Sequence, residues 1–437
     1  MEELYILDIG AHTTHFGLCG FSRPKYIERT VSGKLLDKNC SSFPLKTKKY
    51  IGNSSFSQSN NNVTQIISTD FQSVSINWEE LDFFLTQLIE QLGLDQEMND
   101  LNILNVRSSY FTQNDDKHFA ELMFETLNCE GVSNVLQPLC SVIGCSQISG
   151  LCVDIGEMST RCTPFYEGRI LYGQSSTSMV GGFHISKYLQ DVLSQDYGII
   201  TNGSLMRTEA VIPELKKEYL YAISPKELID KINKQNLENT ENNSKIEEKI
   251  KINTEKNNKL AEEMSNNKKL QKFEIPSFSK KKKKTTKEKE KEKEKEKEPQ
   301  TIDVSSLAKN AINPLFSPHL VGKTCKSIHE TIQQSVTSCD LTVRQDLLKN
   351  VVLMGGSTLT KGFVEKLWFH LKEISPEMSE INFFVPNAEE DRGFFPWLGG
   401  SLFGNVYKTS NSLLVSKILY EEDGPNVLNQ KTIRSLM

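Results

Sequence analysis

No stretch of this 437-residue chain approaches the roughly 20 consecutive apolar residues that cross a bilayer, so no membrane-spanning helix and no membrane partner are expected. The opening Met-Glu-Glu-Leu lacks the basic start and apolar run of a secretory signal. Nine cysteines are present, but none forms a C-x-x-C pair, and Cys140, Cys145 and Cys152 sit inside apolar runs. That pattern reads as reduced thiols packed as small hydrophobes in a cytosolic or nuclear protein, and it argues against a disulfide framework or a structural zinc site. An excess of one charge is also missing. Lys and Arg total 51 against 56 Asp and Glu, a net charge of -5, so no sequence-specific nucleic-acid partner is expected.

What the chain does contain is the same short hairpin twice. The first copy reads Leu4-Tyr5-Ile6-Leu7-Asp8-Ile9-Gly10, then Thr13, Thr14 and Phe16-Gly17. The second reads Leu151-Cys152-Val153-Asp154-Ile155-Gly156, then Ser159, Thr160 and Phe165-Tyr166-Glu167-Gly168. Each is an apolar strand, an Asp, a Gly that permits a tight turn, a hydroxyl-rich tip and a second strand. Two copies a domain apart predict a duplicated fold with facing halves. Turn N–H groups and hydroxyls can hold phosphates between them, and the two carboxylates, Asp8 and Asp154, can hold the water shell of a Mg²⁺ ion.

Residues 1–225 read as ordered. Strands are predicted near 3–8, 15–19, 26–31, 101–106 and 133–136. A helix from about Asn77 carries Leu81, Phe84, Leu85, Leu88 and Leu92 at helical spacing. Further helices are expected near 114–127, from Gly181-Gly182-Phe183 through Leu193, and from about Glu209 to Ile223. From about 226 to 310 the chain turns Asn-, Lys- and Glu-rich, with Lys280–Lys284 and a Lys-Glu repeat reaching Glu298. Such a segment cannot bury enough apolar surface to offset its ordering entropy, so it reads as a disordered insertion. The lysine run is either a solvated charge run or a nuclear address. Order resumes near Pro314. A helix over 324–336 leads to the strand Val351–Met354, then Gly355-Gly356-Ser357-Thr358, where Ser357 or Thr358 can cap a helix from about Lys361. A strand near 382–385 and a glycine-rich turn, Trp397-Leu398-Gly399-Gly400-Ser401, precede the last helices.

These pieces resemble the actin family, and within it the divergent actin-related proteins. The resemblance covers the chain apart from the 226–310 insertion. It is carried by Asn77-Trp78, Phe124–Asn128, Ile328-His329-Glu330-Thr331 with Cys339-Asp340, Val351–Gly356, Trp397–Ser401 and the tail Val415-Ser416-Lys417 with Asp423-Gly424-Pro425. It implies an α/β fold of the duplicated actin, hexokinase and heat-shock-chaperone ATPase type, with two domains around a central cleft and a five-stranded mixed sheet in each. Residues 1–140 would form the first domain, and 141–225 with 311–385 the second. Residues 386–437 would return to the first.

The resemblance also implies a site for ATP or ADP with Mg²⁺, serving structurally if it is filled at all. Its cofactor-binding residues would be Asp8, Gly10, Thr13, Thr14 and His15 in the first phosphate loop, and Asp154, Gly156 and Glu157 in the second. Lys216 beside the adenine and Gly355, Gly356 and Ser357 in the adenosine loop would complete it. Asp8 and Asp154 would hold the metal through water, and Gln137 is the candidate for orienting an attacking water. Several positions depart from the family. His15 stands where the family has a phosphate-reaching lysine, so it either protonates beside phosphate or sits as a neutral residue satisfied in its strand. Glu157 replaces an aspartate, Met158 a glycine that would otherwise leave the pocket wider, and Arg161 the histidine near the attacking water. Lys217 stands in place of the ribose-contacting glutamate. Water positioning needs more than one group, so weak or absent ATPase activity is expected.

The stretch 33–48 is mostly polar and does not resemble actin's apolar intersubunit loop, so continuous self-polymerisation is not expected. A structural subunit among actin and other actin-related proteins fits better. The ending Trp397–Gly404, with its aromatic-Gly pair Phe403-Gly404, resembles the pointed-end branch found in dynactin. That implies dynein and dynactin partners and a cytoplasmic, cytoskeletal location. A nuclear chromatin-remodelling subunit is the alternative. A small-molecule kinase of the same fold is the enzyme alternative, but no substrate-activating carboxylate beyond the metal pair is evident.

Overall fold

The computed structural model describes residues 3–36, 47–58, 63–69, 73–94, 101–197, 272–274, 301–303, 310–375, 381–384, 392–407 and 413–435, with Ile212, Leu215, Lys216, Leu220 and Ala222. The first half begins with strands β1 (Leu4–Ile9), β2 (Thr13–Leu18) and β3 (Tyr26–Arg29). Short strands β4 (Val31–Leu36), β5 (Thr47–Ile51), β6 (Val63–Gln65), β7 (Ile67–Thr69) and β8 (Val74–Ile76) form two small sheets, and β9 (Asn102–Arg107) and β10 (Gly131–Leu136) return to the first sheet. The second half holds β11 (Gly150–Ile155), β12 (Thr160–Tyr166), β13 (Arg169–Ile170) and β14 (Ser176–Ser178). After it come β15 (Lys272–Glu274), β16 (Thr301–Asp303), β17 (Val351–Met354), β18 (Phe383–Phe384) and β19 (Val415–Ser416). The helices are α1 (Gly52–Gln58), α2 (Trp78–Gln91), α3 (Gln113–Glu121), α4 (Gln137–Gly144), α5 (Gly182–Tyr197) and α6 (Asn313–Phe316). They continue with α7 (Ile328–Thr337), α8 (Leu341–Lys349), α9 (Phe363–Ile374), α10 (Phe395–Tyr407), α11 (Lys417–Asp423) and α12 (Val427–Gln430).

Two mixed sheets dominate. The first runs β19-β10-β9-β1-β2-β3 and the second β13-β12-β11-β17-β18, with β14 beside β12. Each therefore has six strands rather than the expected five. The short Val415–Ser416 pairs antiparallel with Gly131 and Val132 in the first, and Ser176–Ser178 pairs with β12 in the second; at two and three residues they are too short to leave a pattern in the sequence. The duplication shows in the topology. Each hairpin is antiparallel, β1 with β2 and β11 with β12, and each first strand also pairs parallel with a following strand, β9 or β17. β10 and β17 are buried at every position; β17 is wholly apolar, as a strand covered on both faces tends to be, whereas β10 also buries Ser133 and Asn134.

Each sheet has its own core. Leu7, Ile9 and Phe16 of the first sheet pack on Phe84, Leu85 and Leu88 of α2 and Phe119 of α3. Leu151, Val153 and Ile155 of the second pack on Ile185 and Leu189 of α5, Ile332 of α7 and Phe363 and Leu367 of α9. The α2 stripe is as expected except Leu92, which lies just past the helix end. Asn77 caps α2 by accepting the Glu80 N–H at 3.1 Å. The helix expected over 114–127 is α3 up to Glu121, followed by a widened π-turn at Leu122–Thr126.

Trp397–Ser401 is not a turn, as expected from its glycines, but the interior of α10. Here the glycines serve a close helix crossing. A Cβ at Gly399 would lie 1.7 Å from the Cys140 carbonyl oxygen of α4, so only glycine lets the two helices meet. Trp397 is fully buried and donates its indole N–H to the Ile6 carbonyl at 3.1 Å, which ties α10 to β1. Neither Ser357 nor Thr358 caps α9. Gly356–Leu359 form a separate 3₁₀ turn, the Thr358 hydroxyl bonds back to the Gly355 carbonyl at 2.7 Å, and Gly362 precedes α9.

The segment 226–310, expected to be disordered, falls outside the described residues apart from the strands Lys272–Glu274 and Thr301–Asp303, which pair antiparallel, and Asn310. Lys280–Lys284 and the Lys-Glu repeat are outside them, as are Lys217 and most of 37–48. No helix among the described residues is long and apolar enough to cross a membrane. The described cysteines are all free, and all but Cys325 are buried.

Candidate functional site

The two hairpins face one cleft of about 1300 Å³, larger than most small-molecule pockets. Their turns close in the same way. Gly10 donates its N–H to the Thr13 carbonyl at 3.0 Å, and Gly156 does so to the Ser159 carbonyl at 3.0 Å. Asp8 and Asp154 stand at matching points of β1 and β11, with His15 opposite the first and Arg161 opposite the second.

Of the expected cofactor-binding residues, the structure brings Asp8, Gly10, Thr13, His15, Asp154, Gly156, Glu157, Lys216, Gly355, Gly356 and Ser357 to the cleft wall, with Gln137. Thr14 is not among them. Alternation along β2 sends Thr13 and His15 to the cleft face and Thr14 to the other, where its hydroxyl meets that of Thr30 at 2.9 Å.

His15 is a satisfied residue. Its Nδ1 lies 2.9 Å from Asp8 Oδ2, its Nε2 lies 3.4 Å from the Thr13 hydroxyl, and both His15 and Asp8 are buried. Asp154 Oδ2 accepts the Gln137 side-chain N–H at 3.2 Å, while Gln137 Oε1 accepts the Ser109 N–H at 3.3 Å. Burial and the nearby Asp8 carboxylate push the Asp154 carboxyl up to about 7, against the pull of Arg161 and Gln137. Burial draws the Arg161 guanidinium down, and the Asp154 carboxylate opposes this.

Glu157 behaves in the opposite sense. Burial acts to raise its carboxyl, but Lys216, His12 and Arg29 together outweigh that and draw it down to about 2. Its Oε1 lies 3.7 Å from His12 Nδ1 and its Oε2 lies 3.8 Å from Lys216 Nζ, so one carboxylate bridges the two hairpin turns. Lys216 also donates to the Gly182 carbonyl at 3.0 Å and the Ser186 hydroxyl at 3.1 Å.

Beside Lys216 the wall is backbone. A Cβ at Gly182 would lie 2.4 Å from Glu157 Oε2 and 3.1 Å from Ser357 Oγ, and one at Gly355, whose φ is +97°, would lie 2.2 Å from the Ile155 carbonyl oxygen. Gly356 opens onto free space. Gly356, with no side chain and open space before it, leaves backbone there against which the flat ring of a nucleoside can lie. Met158, expected to narrow the pocket, touches the cleft but is itself buried.

His12, Arg29, Gly182 and Ser186 were not singled out from the sequence as site residues. Arg29 had a signal. It pairs with Thr13 across β2 and β3, so it shares the cleft face, but that register depends on knowing that the two strands pair.

The family model for actin matches residues 2–433. The chain belongs to the actin family. Among similar proteins, centractin of Schizosaccharomyces pombe is 21% identical over 421 residues, covering 95% of this chain and 94% of centractin. As an actin-family protein it has the α/β fold of two halves around a cleft, and members of the family generally bind nucleotide with Mg²⁺. In this member the nucleoside end of the cleft fits such a ligand. The metal end does not, because Asp8 is engaged by His15 and Asp154 by Gln137 with Arg161 opposite. Among the described residues, no cluster of three or more His, Cys, Asp or Glu side chains is arranged to grip a metal directly.

Proposed function

We propose that this chain is a structural actin-related subunit that does not polymerise by itself. It would sit at the pointed end of a dynactin-type actin-like filament, among actin and other actin-related proteins, and serve dynein-driven transport in the cytoplasm. The end-to-end similarity to a centractin and the helix Trp397–Gly404, which resembles the pointed-end branch, support that placement.

The observation that carries the non-enzymatic part is the His15–Asp8 pair. An actin-type ATPase needs a cation on the phosphates and an oriented water. Here the residue in the lysine's place is turned onto a carboxylate. Gln137 is held at both ends of its amide, and Arg161 faces Asp154 from the next strand. ATP or ADP bound in the cleft acts as a clamp between the halves, adding stability through its own binding energy.

Purification of the tagged chain from its native cells, followed by mass spectrometry, tests the assignment. Recovery of another actin-related protein with dynein-adaptor subunits is the expected outcome. Recovery of a chromatin-remodelling motor ATPase would replace it with the nuclear reading and make Lys280–Lys284 a nuclear address. A phosphate-release assay is expected to stay at background, and turnover of ATP or phosphorylation of a small molecule would overturn the non-enzymatic part.

A further inference from the structure

The cleft supplies its own positive charge where a metal would otherwise be needed. His12 comes from the first hairpin turn, Arg29 from the end of β3 and Lys216 from the second half, and all three line the cleft. They converge on one group, the Glu157 carboxylate. His12 reaches it at 3.7 Å and Lys216 at 3.8 Å, and the Arg29 charge acts on it as well. Arg29 is oriented from behind, its guanidinium lying 4.8 Å from the centre of the Phe56 ring. Basic side chains delivered by three separate elements around the Glu157 carboxylate form a site suited to negative charge, and the chain fills it with its own carboxylate. Meanwhile the two carboxylates that would hold a metal's water shell are answered from within the protein: His15 lies 2.9 Å from Asp8, and Gln137 donates to Asp154 at 3.2 Å with Arg161 opposite in register.

We propose that His12, Arg29 and Lys216 form a metal-independent subsite for the phosphate groups of a nucleotide, with the Glu157 carboxylate as the resident anion that an entering phosphate displaces. This rests on the reading that the cleft accepts a nucleotide, and it is independent of the complex to which the chain belongs. Lys216 sits at the junction of the two parts, because it also bonds the Gly182 carbonyl beside the side-chain-free wall that fits the nucleoside. The phosphate chain would therefore run from Lys216 towards His12 and Arg29, and Glu157 would swing out of the ring.

The test is equilibrium binding of ATP, ADP and inorganic tripolyphosphate to the purified full-length chain, by titration calorimetry, in excess EDTA and in excess Mg²⁺. ATP affinity in EDTA is expected within about threefold of that in Mg²⁺, since the phosphate charge is met by side chains. Tripolyphosphate is expected to compete with ATP in EDTA, which separates a phosphate subsite from binding through the nucleoside alone. Arg29→Met and His12→Gln are each expected to weaken ATP in EDTA by about tenfold or more. Glu157→Gln, which removes the competing anion, is expected to tighten it several-fold. An absolute requirement for Mg²⁺, an absence of binding in both conditions, or a failure of tripolyphosphate to compete would each overturn the inference. So would a weaker ATP complex in Glu157→Gln, an outcome that does not depend on the other two variants folding. None of these results bears on which partners co-purify, so the two readings fail separately.

Discussion

Replacing Gly399 with alanine sets two known effects against each other. In a helix interior, alanine is favoured over glycine by about 1 kcal/mol, so on local grounds the change stabilises α10. Against this stands the new methyl, 1.7 Å from the Cys140 oxygen, 2.4 Å from its carbonyl carbon and 3.0 Å from its Cα, all backbone atoms of α4 that cannot rotate away. To regain ordinary contact the helices must part by about 2 Å, which loosens the packing around the fully buried Trp397. Overpacking of this kind costs about 3 kcal/mol, so the net expectation is a loss of about 2 kcal/mol. Gly404 in the same helix is the control. Its methyl would meet side-chain tips, those of Leu4, Ile6 and Leu104 at 3.1, 3.2 and 3.4 Å, which can shift. Gly404→Ala is therefore expected to fall within about 0.5 kcal/mol of the parent. Urea denaturation followed by tryptophan fluorescence measures both. Equal midpoints for the two variants would refute the close crossing of α4 and α10.

Three further predictions concern charge. Arg107 holds the fully buried Asp116 through Nε at 2.6 Å and a second nitrogen at 2.8 Å, so Arg107→Met strands a buried carboxylate and is expected to cost about 3 kcal/mol in urea denaturation; a loss below about 1 kcal/mol would refute it. Tyr420 donates its hydroxyl to Glu125 at 2.5 Å while its ring stacks on Phe124, so Tyr420→Phe is expected to keep the packing and lose about 1.5 kcal/mol, read as a lower thermal midpoint. Glu157 has its carboxyl drawn from 4.5 to about 2 in the folded chain, so its stabilising contribution is fully present above 4.5 and is lost as pH falls through 2. That loss amounts to about 3 kcal/mol by linkage, and Glu157→Gln is expected to flatten the fall in urea midpoint below pH 4.5; a variant as acid-sensitive as the parent would contradict the bridge.

The parts of the fold legible in the sequence were those written locally. A strand, an Asp, a Gly and a hydroxyl lie within ten residues, and the structure closes both copies with the same Gly N–H to carbonyl bond. What escaped depended on partners distant in sequence. Gly399-Gly400 carries the signature of a turn, and only the approach of α4, more than 250 residues earlier, reveals a helix that needs no side chain there. Thr14 looked like part of a hydroxyl tip, yet β2 already begins at Thr13, and the period of two turns Thr14 away from the cleft. Arg29 is a single charge at a strand end, invisible until β3 is paired with β2.

The departures at the phosphate loops are easier to understand together than singly. A histidine in place of a lysine at position 15 can stand in for it at the phosphates only by pointing at them, and here it points at Asp8. Taken alone, that change would leave a cleft with one cation fewer and four carboxylates, Asp8, Asp154, Glu157 and Asp191, in its walls. The same hairpin, however, brings His12 to Glu157, and the next strand brings Arg29 into range of it. Basic side chains now gather around Glu157, between the two turns. A carboxylate held there from both halves joins the two turns by itself, and a nucleotide phosphate entering the ring would take over that bridge from Glu157. A subunit that must hold one shape within an assembly is served by that arrangement, whereas an ATPase that must open and close on each turnover is hindered by it.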